Sequence, residues 1–274
     1  MAETSPAGEG DVRERTARAL GELIEALRRY QEMWAPGAEH PSVLNEPIRS
    51  VVGQTWKDGL TLELDQQLTR AHEYPQAALR ELICLVDWLV GACEIALAAV
   101  RRAEGEEEIA VALRRSLGDG DKAAASALQR RRKRVLAATQ AVRSSLGAFV
   151  QDEPDESGEA AQLSEADVEM CHFVAGVWST IVVAGDEYLQ LHGLLDLAVR
   201  DARSGVWPTR DIAPSLERLR DMMTARIKVV LEECRFNARV LRGMGDREAP
   251  QAERQRSYQE LWDRNRSRVD YILI

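Results

Sequence analysis

Two stretches constrain this chain more than any others: Leu79–Val100 and Met170–Gly185, both long and strongly apolar, with few charges inside them. Each is longer than the roughly four to eight residues of an ordinary buried strand, and each lies in sequence rich in Ala, Leu, Glu and Arg, all good helix formers. Both therefore read as core helices. The remaining segments must be amphipathic helices that cover them, and the fold class expected is all-α, an antiparallel bundle of long amphipathic helices around two mostly apolar central ones.

The rest of the chain reads consistently with that plan. Residues 1–11 are polar and acidic, a flexible tail without the apolar segment of a secretory signal. Leu20, Leu23, Leu27, Tyr30 and Trp34 stripe a first helix over Val12–Trp34, which Ala35–Pro41 breaks. Short helices are expected at Leu44–Thr55 and Leu60–Ala71. Pro75 then introduces the first apolar helix, Gln76–Ala103, and Gly105 separates it from Glu106–Leu117. Gly118–Asp121 forms a turn in which Asp121 caps a helix running to about Val150. Gln151–Glu159 is acidic and free of apolar residues, the clearest linker or loop. Ser164, with Asp167 supplying an acidic first turn, opens the second apolar helix, which continues to about Arg203. Helices over Ile212–Arg242 and Ala252–Val269 complete the chain, and the first of these carries Leu216, Leu219, Met223, Ile227, Val230, Cys234 and Leu241 on one face. The expected organisation is a tail (1–11), an N-terminal bundle (12–150), an acidic linker (151–163) and a C-terminal helical part (164–274), either separate or packed with the first as one domain. The apolar end, Tyr271–Ile274, is expected to pack back on the bundle or to dock into a partner or a second copy.

Composition narrows function mainly by exclusion. A net charge of −9 disfavours a general nucleic-acid binder, which needs a positive surface. Cys84, Cys93, Cys171 and Cys234 fall in helical, mostly apolar segments without zinc spacing, so reduced core thiols and a cytoplasmic location are expected. No run of about 18 uncharged apolar residues occurs, which argues against a constitutive membrane span and for a soluble protein. There is no nucleophile elbow, phosphate loop or His-Glu-x-x-His, and no paired aspartates of the kind that hold magnesium and diphosphate. Only His40, His72, His172 and His192 are available for histidine chemistry.

Four features remain as candidates. Asp87 and Glu94 lie seven residues apart, on one helix face within an apolar flank, and Gly91 and Ala98 share that face, so a neighbouring helix can approach closely there. A carboxylate buried without a partner costs several kcal/mol, so each needs a partner, a proton or water, an arginine being the commonest answer. Glu169 and His172 form an E-x-x-H pair, as helical di-iron bundles use. A second such pair is lacking, because Glu232-Glu-Cys-Arg235 has Arg where His is needed. Glu187 shares the Glu169 face but lies roughly 27 Å along a helix. No metal site and no cofactor are therefore expected. Arg130, Arg131, Arg132, Lys133 and Arg134 form the densest basic run, which on a helix splays into a collar on a solvated surface.

The reading that follows is a non-enzymatic helical binding or scaffold protein acting through protein–protein contacts or self-association. The alternative is an enzyme or small-molecule binder with a polar or metal site at Asp87, Glu94, Glu169, His172 and Glu187, between the two apolar helices. A third is a helical protein that inserts into membranes after a trigger.

Overall fold

The computed structural model describes residues 6–39, 62–146, 163–183 and 185–267. Among them the chain is all-α, a helical bundle without strands: α1 (Pro6–Glu39), α2 (Leu62–Val100), α3 (Glu106–Leu117), α4 (Gly120–Leu146), α5 (Glu165–Val183), α6 (Gly185–Ser204), α7 (Ala213–Met244) and α8 (Gln251–Arg266). The expected helix at Leu44–Thr55, most of the acidic linker and the terminal Tyr271–Ile274 lie outside the described residues.

Where expected boundaries moved, proline is the usual reason. Helix α1 begins at Pro6 rather than Val12 and continues past Pro36 to Glu39. The fixed φ of proline suits the first helical position, and Pro36 falls within the last turn, where little helix remains to lose. The larger correction is at Pro75. Helix α2 does not start after it but runs through it, from Leu62 to Val100. Proline lacks the N–H that would bond the carbonyl four residues back, that of Ala71. Asn237 Nδ2, from α7, donates to that carbonyl at 2.9 Å instead.

The expected second apolar helix is found as α5 and α6, with residue 184 outside the described residues. Ser164 caps α5 as the sequence indicates: its Oγ accepts the Asp167 amide at 3.2 Å, and the Asp167 carboxylate accepts the Ser164 amide at 2.8 Å. Asp121 is not the cap expected of it. It sits in the first turn of α4, and its carboxylate turns to α7, accepting Ser215 Oγ at 3.1 Å and Arg218 Nε at 2.5 Å. Those bonds, the Arg218 one foremost, hold its carboxyl below the usual range.

The chain divides into two compact units, 1–36, 79–128 and 186–228 against 37–78, 129–185 and 229–274. In the first, α1 and α2 run antiparallel: Arg13 reaches the Ala103 carbonyl, Arg28 bonds Glu94 and Gln31 bonds Asp87. Its core includes Leu20, Leu27, Leu85, Leu89, Leu113 and Trp207, none more than 1 % exposed. Gly120 lets α4 close on this core, since a Cβ there would meet the Trp88 ring at 2.8 Å.

The second unit is held by Leu64, Val174, Trp178, Leu241 and Leu261, and also by a buried polar seam. Alongside the Asn237–Ala71 bond, Asn265 Nδ2 donates to both the carbonyl and the side-chain oxygen of Gln67 at 2.9 Å. Arg264 bonds the buried Glu233 at 2.7 Å. Such groups are tolerated in a core only when bonded; the Asn237 and Asn265 bonds join α7 and α8 to the distant α2, and the Arg264 bond joins α8 to α7.

By length and composition alone, Arg70–Val100 within α2 is apolar enough to cross a membrane, contrary to the expectation that no segment qualifies; half of its most apolar window is buried within the protein.

Candidate functional site

The two carboxylates of the first apolar helix lie at its surface. On α2 the buried side chains Leu82, Leu85, Val86, Leu89, Val90 and Cys93 cover the core side. Asp87 falls on the opposite, exposed arc, and Glu94 beside it is half-exposed. Partners come from α1: Gln31 Nε2 donates to Asp87, and Arg28 bonds Glu94 at 2.5 Å with both side chains substantially in solvent. The structure therefore answers the burial question with cross-helix surface bonds, which for ion pairs of this exposure contribute at most about 1 kcal/mol. The same arc carries Gly91, whose Cβ position has open space around it, and the exposed Ala98 and Ile95, the latter 67 % accessible.

Glu169 and His172 belong to the other unit and do not form a shared ligand pair. Glu169 bonds Arg247, just beyond the end of α7. His172 is exposed, and its backbone lies directly against Gly245, where a Cβ would fall 2.5 Å from its amide nitrogen. Helix α6 carries Glu187, but that side chain lies outside the described residues. Among the described residues no group of three or more His, Cys, Asp or Glu is placed to hold a metal ion. Four of the five residues in the basic run of α4, Arg130, Arg132, Lys133 and Arg134, are exposed and Arg131 is half-buried, the collar that consecutive helical positions dictate.

One feature escaped sequence reasoning. In the first unit, α6 and α7 flank a shallow open groove of about 460 Å³ lined by Asp196, Arg200, Arg203, Glu217 and Arg220, among others. Its charges are mutually engaged: Arg220 bonds Asp196 at 2.7 Å, His192 reaches the same carboxylate at 3.1 Å, and Arg203 bonds Glu217. An anion at Arg203 or Arg220 would have to displace these pairs, while the exposed Arg200 takes part in none of them. The available signal was Asp196, Arg200 and Arg203 at i, i+4 and i+7, a spacing shared by many solvated helix faces.

All four cysteines are free thiols. Burial pushes Cys93 and Cys234 up to about 12 and raises Cys171 as well, so none of these three is a thiolate nucleophile at neutral pH. No protein-family model, no curated protein and no solved structure matches the chain.

Proposed function

We propose that this chain is a soluble, non-enzymatic helical protein that works by protein–protein contact, including contact with copies of itself. The observation that carries the reading is the α2 arc: a helix otherwise committed to the core keeps an accessible apolar strip, Gly91, Ile95 and Ala98, beside carboxylates held by α1. Single exposed apolar residues are ordinary, but a contiguous strip on a rigid core helix is a surface that association can bury. The carboxylates that were the best candidates for chemistry support the same reading, because each is engaged by a neighbouring helix in solvent. A cytoplasmic location is part of the proposal and is supported by the four free thiols.

The test is light scattering of the full chain over a concentration series, with affinity capture by the wild type beside an Ile95→Glu variant. The expected result is a mass above 30.6 kDa, or a specific partner that the variant fails to retain. A protein monomeric throughout, capturing the same set as its variant, overturns the proposal.

A second reading, triggered insertion into membranes, is favoured by the length and apolarity of Arg70–Val100. It predicts dye release from anionic liposomes somewhere between about pH 5 and 8, where carboxylates and histidines can lose negative or gain positive charge. Inert behaviour across that range removes it.

A further inference from the structure

We infer that the basic collar of α4, residues 130–134, is the docking surface for a short acidic segment of a partner protein, whose carboxylates pair with the guanidinium groups of the collar. This rests on the protein-contact reading above and names the chemistry of a partner.

The argument begins with charge. Helix α4 holds seven cations and a single acid, Asp121, which is turned to Ser215 and Arg218 of α7. From Lys122 to Leu146 the helix therefore carries no negative charge, while the chain outside α4 has 29 cations against 44 acids. Within the collar Arg130 and Arg134 lie at i, i+4, and both Arg130 with Lys133 and Arg131 with Arg134 lie at i, i+3. Like charges at these spacings are neighbours on a helix and destabilise it. An acid brought among them relieves that repulsion as well as forming ion pairs of its own.

The structure leaves these groups accessible. The last buried side chain in the described part of α4 is Leu128, and from Gln129 to Ala137 none is buried. The side chains of Arg130, Arg131, Lys133 and Arg134 make no hydrogen bond or ion pair among the described residues, whereas Arg114, Arg203, Arg218 and Arg220, among others, are engaged by carboxylates. Five consecutive positions at 100° each turn through the whole circumference within about 6 Å of helix. A bilayer or a nucleic-acid duplex meets only the near side of such a collar, and its charge extends beyond the collar to confront the excess acid of the chain. Helix α4 has no aromatic residue to compensate by stacking on bases or by anchoring in a membrane interface. A short peptide differs, because its backbone can bend round the helix and its negative charge ends with the segment. Four of the five cations are arginine, whose planar fork takes a carboxylate bidentately.

The experiment is fluorescence anisotropy of a labelled octaglutamate peptide titrated with the full chain at about 0.15 M salt. Two variants each remove four cations. The collar variant carries Arg130→Gln, Arg131→Gln, Lys133→Gln and Arg134→Gln; the dispersed variant carries Arg101→Gln, Arg115→Gln, Arg235→Gln and Arg256→Gln, all at exposed positions. Circular dichroism checks that both fold. The collar variant should weaken binding by more than about tenfold, at roughly two- to fivefold per exposed ion pair, and the dispersed variant by less than about threefold. Equal losses in the two variants, or no binding by the wild type, overturn the inference. Collar-dependent binding that is tighter to a duplex DNA oligonucleotide, or to phosphatidylcholine–phosphatidylglycerol vesicles, than to the peptide assigns the collar to that partner and likewise refutes it. A chain that takes the peptide only after Asp152, Glu153, Asp155, Glu156 and Glu159 are replaced by Asn or Gln makes its own acids the occupant and refutes a separate partner. Any of these failures leaves the α2 arc untouched, and light scattering with the Ile95→Glu capture decides the broader reading separately.

Discussion

The bond from Asn237 to the Ala71 carbonyl is the most informative contact to perturb, because its reason for existing can be removed separately. Asn237 is 0 % and Ala71 1 % exposed, so neither has water as a substitute partner. Replacing Asn237 with Ala leaves a buried carbonyl without a donor, at a cost of about 1–3 kcal/mol. In a chain of this size that corresponds to a drop in Tm of roughly 2–5 °C. The carbonyl needs Asn237 only because Pro75 has no N–H to give it. In a Pro75→Ala background the restored amide should bond Ala71 itself, so Asn237→Ala should there cost less than about half as much. Pro75→Ala alone should stabilise, since an interior proline costs about 3 kcal/mol of helix and restrains the unfolded chain by only about 0.4–1 kcal/mol. Four proteins measured by urea denaturation at one pH complete the cycle. Costs for Asn237→Ala that agree within about 0.5 kcal/mol in the two backgrounds show that the bond does not compensate for the proline, and refute the reasoning.

Three further outcomes can be checked on the same preparations. Gly245→Ala forces a Cβ to within 2.5 Å of the His172 amide nitrogen and should destabilise by about 1–3 kcal/mol, whereas Gly176→Ala, with open space around it, should stabilise by about 0.5–1 kcal/mol; equal signs in thermal melts contradict the packing described. Asp121 has a depressed folded pKa, so its contribution is fully present above the unfolded value of about 3.9 and is lost as pH falls through the lower folded value. Asp121→Asn should therefore be less stable than wild type at neutral pH and converge with it below about pH 4, and a gap that persists at lower pH argues against the Arg218 and Ser215 bonds as its source. Towards a thiol reagent at pH 8, half-buried Cys84 should react well before Cys93, Cys171 and Cys234; rapid reaction of all four in the native state contradicts their burial.

Much of the fold could be read from local pattern, because local pattern is what determines it. The stripes Leu20–Leu23–Leu27–Tyr30 and Leu216–Leu219–Met223–Ile227 are buried as their spacing requires, and the Ser164–Asp167 cap needs only residues three apart. Pro75 misled because its remedy, Asn237, lies 166 residues from the carbonyl it bonds, beyond any window in which a helix boundary is judged. Asp121 misled likewise: a capping residue at a turn is locally sound, but Ser215 and Arg218 compete for it from α7.

The α2 arc was hidden for a different reason, and that reason bears on what it does. Asp87 and Glu94 looked buried because Ile95, Ala98 and Gly91 surround them with apolar sequence, and apolar sequence ordinarily means core. Leu85, Val86, Leu89, Val90, Ala92 and Cys93 already cover the core-facing half of the helix, so these further residues have no core left to join. A helix buried all round has no polar line, and on a helix half in solvent alanine and a single apolar side chain are ordinary surface residues. In the association proposed above, this strip, apolar in sequence and solvent-facing in the single chain, is the surface a partner would bury. The acids beside it are not intruders in a core but surface groups whose partners, Gln31 and Arg28, come from α1.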